Sequence, residues 1–255
     1  MSKVTSQHFR DGHWNTPHFG FYGVTTAAYN DEATLSLKPI STGIPPLSAT
    51  VEGELQLGPV SNSQVLIITS KDKPAAWKVD QLVLKVYDPS FILGPADGKF
   101  TVDKAKEKAE EFFETEKLAY EKLVKVDGLK EHVLPYYGAY SFTRDTVECK
   151  AILLGHNKQG KKPTRSLLGN NLNKVLKDIK DVLDLIHKEA GLAHGDLTKA
   201  MNYAITITPH SVGFVIMDFS HAVHKSKVDD WQFVEACEDD KAEAEGLFLR
   251  GLEER

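Results

Sequence analysis

The sequence predicts an α+β chain in two parts, strand-rich before about residue 155 and helical after it. Two observations carry this. Between Leu47 and Leu154 apolar residues alternate or run in short blocks separated by turn residues, as strands do. Asp103 to Lys125 and Leu172 to Ile186 instead repeat every three or four residues, as helices with one buried face do. At 255 residues the chain is long enough for one large domain or two lobes.

Composition narrows the class. A hydrophobic fraction of 41% and a charged fraction of 26% are ordinary for a soluble globular chain. A net charge of -5 offers no basic surface, so neither nucleic acid nor membrane is an expected partner. Cys149 and Cys237 are too few for a disulfide framework and lack metal-ligand spacing, which favours a reducing compartment. The polar start Met1-Ser2-Lys3-Val4-Thr5-Ser6-Gln7 lacks a signal peptide's apolar centre, and no apolar run is long enough to span a bilayer. The expected location is the cytoplasm or nucleus.

Taken in order, residues 1–46 show no sustained period. Phe9, Trp14, Phe19, Phe21, Tyr22 and Tyr29 are too many aromatics for a disordered tail, so the segment is expected to pack along the fold. Ala49 to Leu57 and Gln64 to Thr69 then read as a hairpin. Its turn, with Gly58 and Ser61, is either a plain connection or a cradle for phosphates; Pro59 has no N–H to offer in the second role. In the next strand Lys85 lies within the apolar run Leu82-Val83-Leu84-Lys85-Val86, where an ammonium needs a negative partner. The following helix offers Glu116, on the same stripe as Phe112, Ala119, Tyr120 and Leu123. Either the two pair, or both reach to the rim of the sheet. His132 to Tyr140 and Val147 to Leu154 complete the strands. A hinge would follow at Gly155-His156-Asn157, where backbone groups could meet a ligand.

After the basic loop Lys158 to Arg165 and the helix from Leu172 comes a loop that presents Asp196 and Asn202, and then an apolar run that ends in Asp218. Carboxylate and amide oxygens suit a hard cation such as magnesium. The histidines, including His221-Ala222-Val223-His224, lack a companion pair at zinc spacing, so no histidine metal site is expected. Glu235 to Glu245, with Trp231, Phe233, Leu247, Phe248, Leu249 and Leu252, reads as a closing helix or two.

Val83 to Pro89, Glu116 to Leu123, His194-Gly195-Asp196-Leu197 and Asp218-Phe219-Ser220 together resemble the protein-kinase-like superfamily, in particular small divergent fungal-type members. The His-Gly-Asp-Leu loop is similar to that of aminoglycoside and choline-type phosphotransferases. The resemblance covers about Leu47 to Ala222. It implies a two-lobed kinase-like fold: an extension over 1–46, a β-rich N-lobe over 47–155 and a short helical C-lobe over 156–255. It also implies ATP and Mg2+ as cofactors, and transfer of a γ-phosphoryl group to a hydroxyl-bearing small molecule or protein. Asp196, Lys85 and Glu116 would be catalytic; Lys85, Gly58, Ser61, Leu154 and Gly155 would hold the nucleotide; Asn202 and Asp218 would bind metal. The alternative is a catalytically weak relative that serves as a nucleotide-binding or scaffold module.

The retained Lys85, Glu116, Asp196 and Asp218 favour the enzyme, whereas the weak glycine loop, the displaced Asn202 and the missing docking half favour the alternative. Asn202 lies one residue further from Asp196 than is usual, Ser220 stands where a glycine is usual, and only about 35 residues follow it. Gly195 replaces the arginine that answers a phosphorylated loop, so control by such phosphorylation is not expected.

Overall fold

The computed structural model describes residues 33–56, 63–77, 79–92, 101–208 and 211–252. Its first half is a sheet of β1 (Thr34–Pro39), β2 (Leu47–Gln56), β3 (Gln64–Thr69), β4 (Leu82–Tyr87), β5 (Tyr136–Arg144) and β6 (Val147–Gly155), with helix α1 (Val102–Leu123) between β4 and β5. The strands pair antiparallel in the order β1-β2-β3-β4-β6-β5, and β5 returns to β1 through Lys38 opposite Ser141 and Pro39 opposite Tyr140. The sheet is a closed six-stranded barrel.

Closure removes both sheet edges and creates two faces. Leu35, Leu37, Ala49, Val51, Leu66, Ile68, Leu84, Phe142, Ala151 and Leu153 belong to one apolar cluster drawn from all six strands and from no helix, which is the barrel's filling. Val83, Tyr87, Ala139, Ile152 and Leu154 face the other way and join a second cluster shared with the helices. Period-two alternation therefore sets Lys85 on the outer, helix-facing side.

The remaining elements are α2 (Arg165–Leu168), α3 (Leu172–Leu185), β7 (Leu192–Ala193), β8 (Tyr203–Ile207), β9 (Val212–Ile216), β10 (Val223–His224) and α4 (Asp230–Gly246). Thr101 caps α1 through its hydroxyl, and Asp103 suits the positive end of the helix. α3 buries Val175, Leu176, Ile179, Val182 and Leu183, widens into a π-helical turn over Ile186–Ala190, and stops at Gly191 in the left-handed conformation. β7 then pairs with β10, and β8 with β9.

The expected two-lobed kinase-like architecture is corrected by this topology. An open β-rich lobe facing a helical lobe requires free edges; here β1 closes the sheet on itself and a small helical region packs on the outside. Among the described residues there is no cleft between two lobes, and no three His, Cys, Asp or Glu side chains gather to cage a metal. The kinase-type enzyme, the γ-phosphoryl transfer and the pseudokinase alternative all rested on that architecture, and they fall with it. No described helix is long and apolar enough to cross a membrane.

Candidate functional site

The site grows from the outer face of β4. This strand is bonded on one side to β3 and on the other to β6, and every residue in it is buried. Lys85 is thus held rigidly against α1. Its Nζ donates to Glu116 Oε2 at 2.5 Å and to Asp218 Oδ1 at 2.6 Å. The Lys85–Glu116 pair expected from the sequence is formed, and Asp218 joins it. Tyr87, two residues along the same face, also donates its hydroxyl to Glu116 Oε2, while Glu116 Oε1 is buried without a partner among the described residues.

Electrostatics follow from this packing. Burial disfavours the Lys85 ammonium, but the charges of Asp218 and Glu116 outweigh it and hold the pKa above its ordinary value. Burial raises Glu116 above the usual carboxylate range despite the opposing pull of Lys85. Burial also works against ionised Asp218, yet Lys85 and the Ser220 hydroxyl hold its carboxyl well below the usual range. Asp218 itself is at φ 66°, ψ 68°, a left-handed conformation that costs a residue with a Cβ. Its side chain is 35% exposed, whereas that of Lys85 is 7% exposed.

A second group of polar residues is fastened beside the first. Met217 accepts from His194 Nε2 through its carbonyl at 2.8 Å and donates its N–H to the Asn202 carbonyl at 2.8 Å, which ties the loop to the residue preceding Asp218. Within the loop Asn202 Nδ2 donates to the Asp196 carbonyl at 2.6 Å and to Asp196 Oδ2 at 3.2 Å; Lys199 Nζ reaches the same Oδ2 at 2.8 Å. Gly195 is at φ 76°, and a Cβ there would fall 2.5 Å from the His221 carbonyl oxygen, so no other residue fits. Burial pushes the His194 pKa down. Its ring packs on Phe219, Phe219 on Tyr120, and Tyr120 on Tyr136, with centroids 4.7, 5.6 and 5.6 Å apart.

Sequence reasoning missed what holds this loop. Asp240, fully buried on α4, accepts the His194 N–H at 2.6 Å, the Gly195 N–H at 2.9 Å and His187 Nε2 at 2.8 Å. Glu243 accepts the Leu197 N–H at 2.8 Å. In the sequence both lie in an acidic run. The available signal was register: Asp240 is seven residues from Phe233 and from Leu247 and four from Ala244, on the helix's buried face. Tyr87 was missed as well, inside a strand that reads as apolar.

The other expected ligand-binding positions fare differently. Leu154 and Gly155 end β6; Leu154 is buried, and the Gly155 N–H is bonded to the Pro135 carbonyl at 2.8 Å. Gly58 and Ser61 lie outside the described residues. Cavities of about 320 and 500 Å³ open elsewhere, the first beside Trp77 and Tyr137 and the second beside Lys122 and Leu185. Compared with protein-family models and with curated proteins, the chain matches none.

Proposed function

We propose that the chain is a binding protein whose site takes a hard divalent cation of the magnesium class together with an oxyanion that supplies the cation's remaining ligands. ATP, expected with Mg2+ from the sequence, is one oxyanion of that class. The observation that carries this reading is an imbalance: one buried ammonium, Lys85, faces two carboxylates, Glu116 and Asp218, and the more exposed of the two is held ionised. A site with excess negative charge and a partly open carboxylate favours a cation.

Asp218 would be the anionic ligand, with Asp196 and Asn202 as neighbouring oxygen donors. Lys85 would face the oxyanion, and Glu116 would fix Lys85. So few protein ligands suit magnesium, which keeps waters and takes part of its shell from a bound phosphate. No bond is made or broken in this reading.

Thermal melts with magnesium alone, pyrophosphate alone, ATP alone and each anion with magnesium provide the test, because a ligand that binds only the folded state raises Tm by mass action. The expected result is a larger rise for cation and anion together than for the sum of each alone, lost in Asp218→Asn. No shift under any condition at millimolar concentration would overturn the reading.

A further inference from the structure

α4 buries Phe233, Asp240 and Ala244 against the body, and among the described residues its opposite face has no such cover. Trp231 is 64% exposed and Val234 54% exposed. At 100° per residue they share that outer face with Glu235, Glu238 and Ala242, all exposed. A tryptophan left in water at helical spacing from a valine is an unusual cost for an isolated surface and the type of residue that anchors an interface.

The charge around it selects the partner. Asp229, Asp230, Glu235, Glu238 and Asp239 are exposed, and no lysine or arginine occurs from Val228 to Asp240. Asp230 has a distant pairing with Lys225 at 3.8 Å; among the described residues Glu235, Glu238 and Asp239 enter no ion pair. Such a row repels phosphate backbones and anionic lipid headgroups alike. A surface that is both apolar and uncompensated acid matches a segment that is both apolar and basic.

We infer that the outer face of α4 is a docking surface for a cationic amphipathic helix of a partner protein. Its apolar stripe would cover Trp231 and Val234, and its lysines or arginines would face Glu235, Glu238 and Asp239. The small Ala242 allows close approach further along. Over 17 residues α4 offers about 25 Å of helix, or five turns of such a partner. This surface lies on the side of α4 opposite Asp240, which fastens the His194–Gly195 loop.

The test titrates the full chain, by fluorescence anisotropy, into a labelled synthetic helix of about five turns with leucines at three- and four-residue spacing and lysines on the flanks. Its glutamate counterpart and an oligolysine of equal length serve as comparisons. The parent is expected to bind the leucine–lysine helix, more weakly as salt rises. Trp231→Ala should weaken binding at least about tenfold. Glu235→Lys with Glu238→Lys should do the same, while the equal charge change Glu131→Lys with Glu148→Lys should leave it unaltered.

Melts check that each variant folds, and Trp231→Phe should recover most of the affinity. The inference is overturned if the parent does not bind the leucine–lysine helix, if Trp231→Ala binds it as tightly as the parent, or if the glutamate helix or oligolysine binds equally well. It is also overturned if the parent sediments as a dimer that Trp231→Ala dissolves, which would assign the face to a second copy of the chain.

Discussion

The two faces of β4 are built from alternate residues of a single strand, and they have opposite chemistry. Leu82, Leu84 and Val86 point into the barrel among other aliphatic side chains. Val83, Lys85 and Tyr87 point to α1, where an ammonium, a phenol and a carboxylate share one hydrogen-bonded cluster. The inner face gains stability from area removed from water and is indifferent to pH. On the outer face the gain depends on every charge keeping its partner. A site can be buried this deeply because the barrel, filled from within, does not rely on it for its shape.

The largest expected effect breaks the outer face. Lys85→Met leaves Glu116 and Asp218 without their common counter-charge, and removing one member of a buried pair costs about 3–5 kcal/mol. The loss should depend on pH. Burial already raises the folded pKa of Glu116 above 4.5, and loss of Lys85 raises it further. A raised folded pKa contributes stability that is present below the unfolded value and lost as pH rises through the folded one. Urea melts of the variant should therefore show it closest to the parent in acid and furthest from it at neutral pH. A deficit that did not change with pH would mean that Lys85 acts only by packing.

The inner face should break differently. Leu84→Ala removes a fully buried side chain from the barrel filling, at a cost of about 3 kcal/mol for lost transfer energy and a residual cavity. No titratable group in the Lys85 cluster is touched, so the deficit in the same melts should hold constant with pH.

What the sequence made legible divides along the same line. Periodicity located the hairpin, β4, α1, β5, β6 and α3 within a few residues, because burial on one face leaves a period that can be counted. It also singled out Lys85 and Glu116, because a charge in an apolar run has to be answered. Closure of the barrel was not legible. β1, Thr34–Pro39, has only Leu35 and Leu37 as an alternating signal, and it falls within the segment 1–46, read as having no period. Its pairing with β5 joins residues about a hundred positions apart, which no local pattern records. The kinase-like reading matched local motifs and missed the one pairing that decides the topology. Asp240 was hidden for another reason: a buried carboxylate in an acidic helix looks like its solvated neighbours until the buried face is known.

A smaller effect lies at the boundary between the site and solvent. The Asp218 carboxyl is held below its ordinary 3.8, so its pairing with Lys85 stabilises the fold above that value and is lost as pH falls toward the folded one. Asp218→Asn should therefore differ from the parent most at neutral pH and least in strong acid. The side chain is partly exposed, so added salt should reduce the difference. Thermal melts across pH at two ionic strengths check both.

The smallest expected effect concerns a polar residue on the apolar face. Gln64 begins β3 on the inward side, in register with Val86, and alternates with Leu66 and Ile68. Its side chain is fully buried, and neither its Nε2 nor its Oε1 has a hydrogen-bond partner among the described residues. Leaving such atoms unpaired costs about 1–3 kcal/mol, whereas an apolar side chain of similar length would pack in the same place without that cost. Gln64→Met is expected to stabilise the chain by about 1 kcal/mol, after allowance for imperfect repacking. In a chain of this size that is a rise of about 2–4 °C in Tm. A gain would show that the inner face is purely apolar in its energetics, the outer face alone depending on polar partners. A fall in Tm would show instead that the amide is satisfied within the barrel, and that both faces of β4 border polar sites.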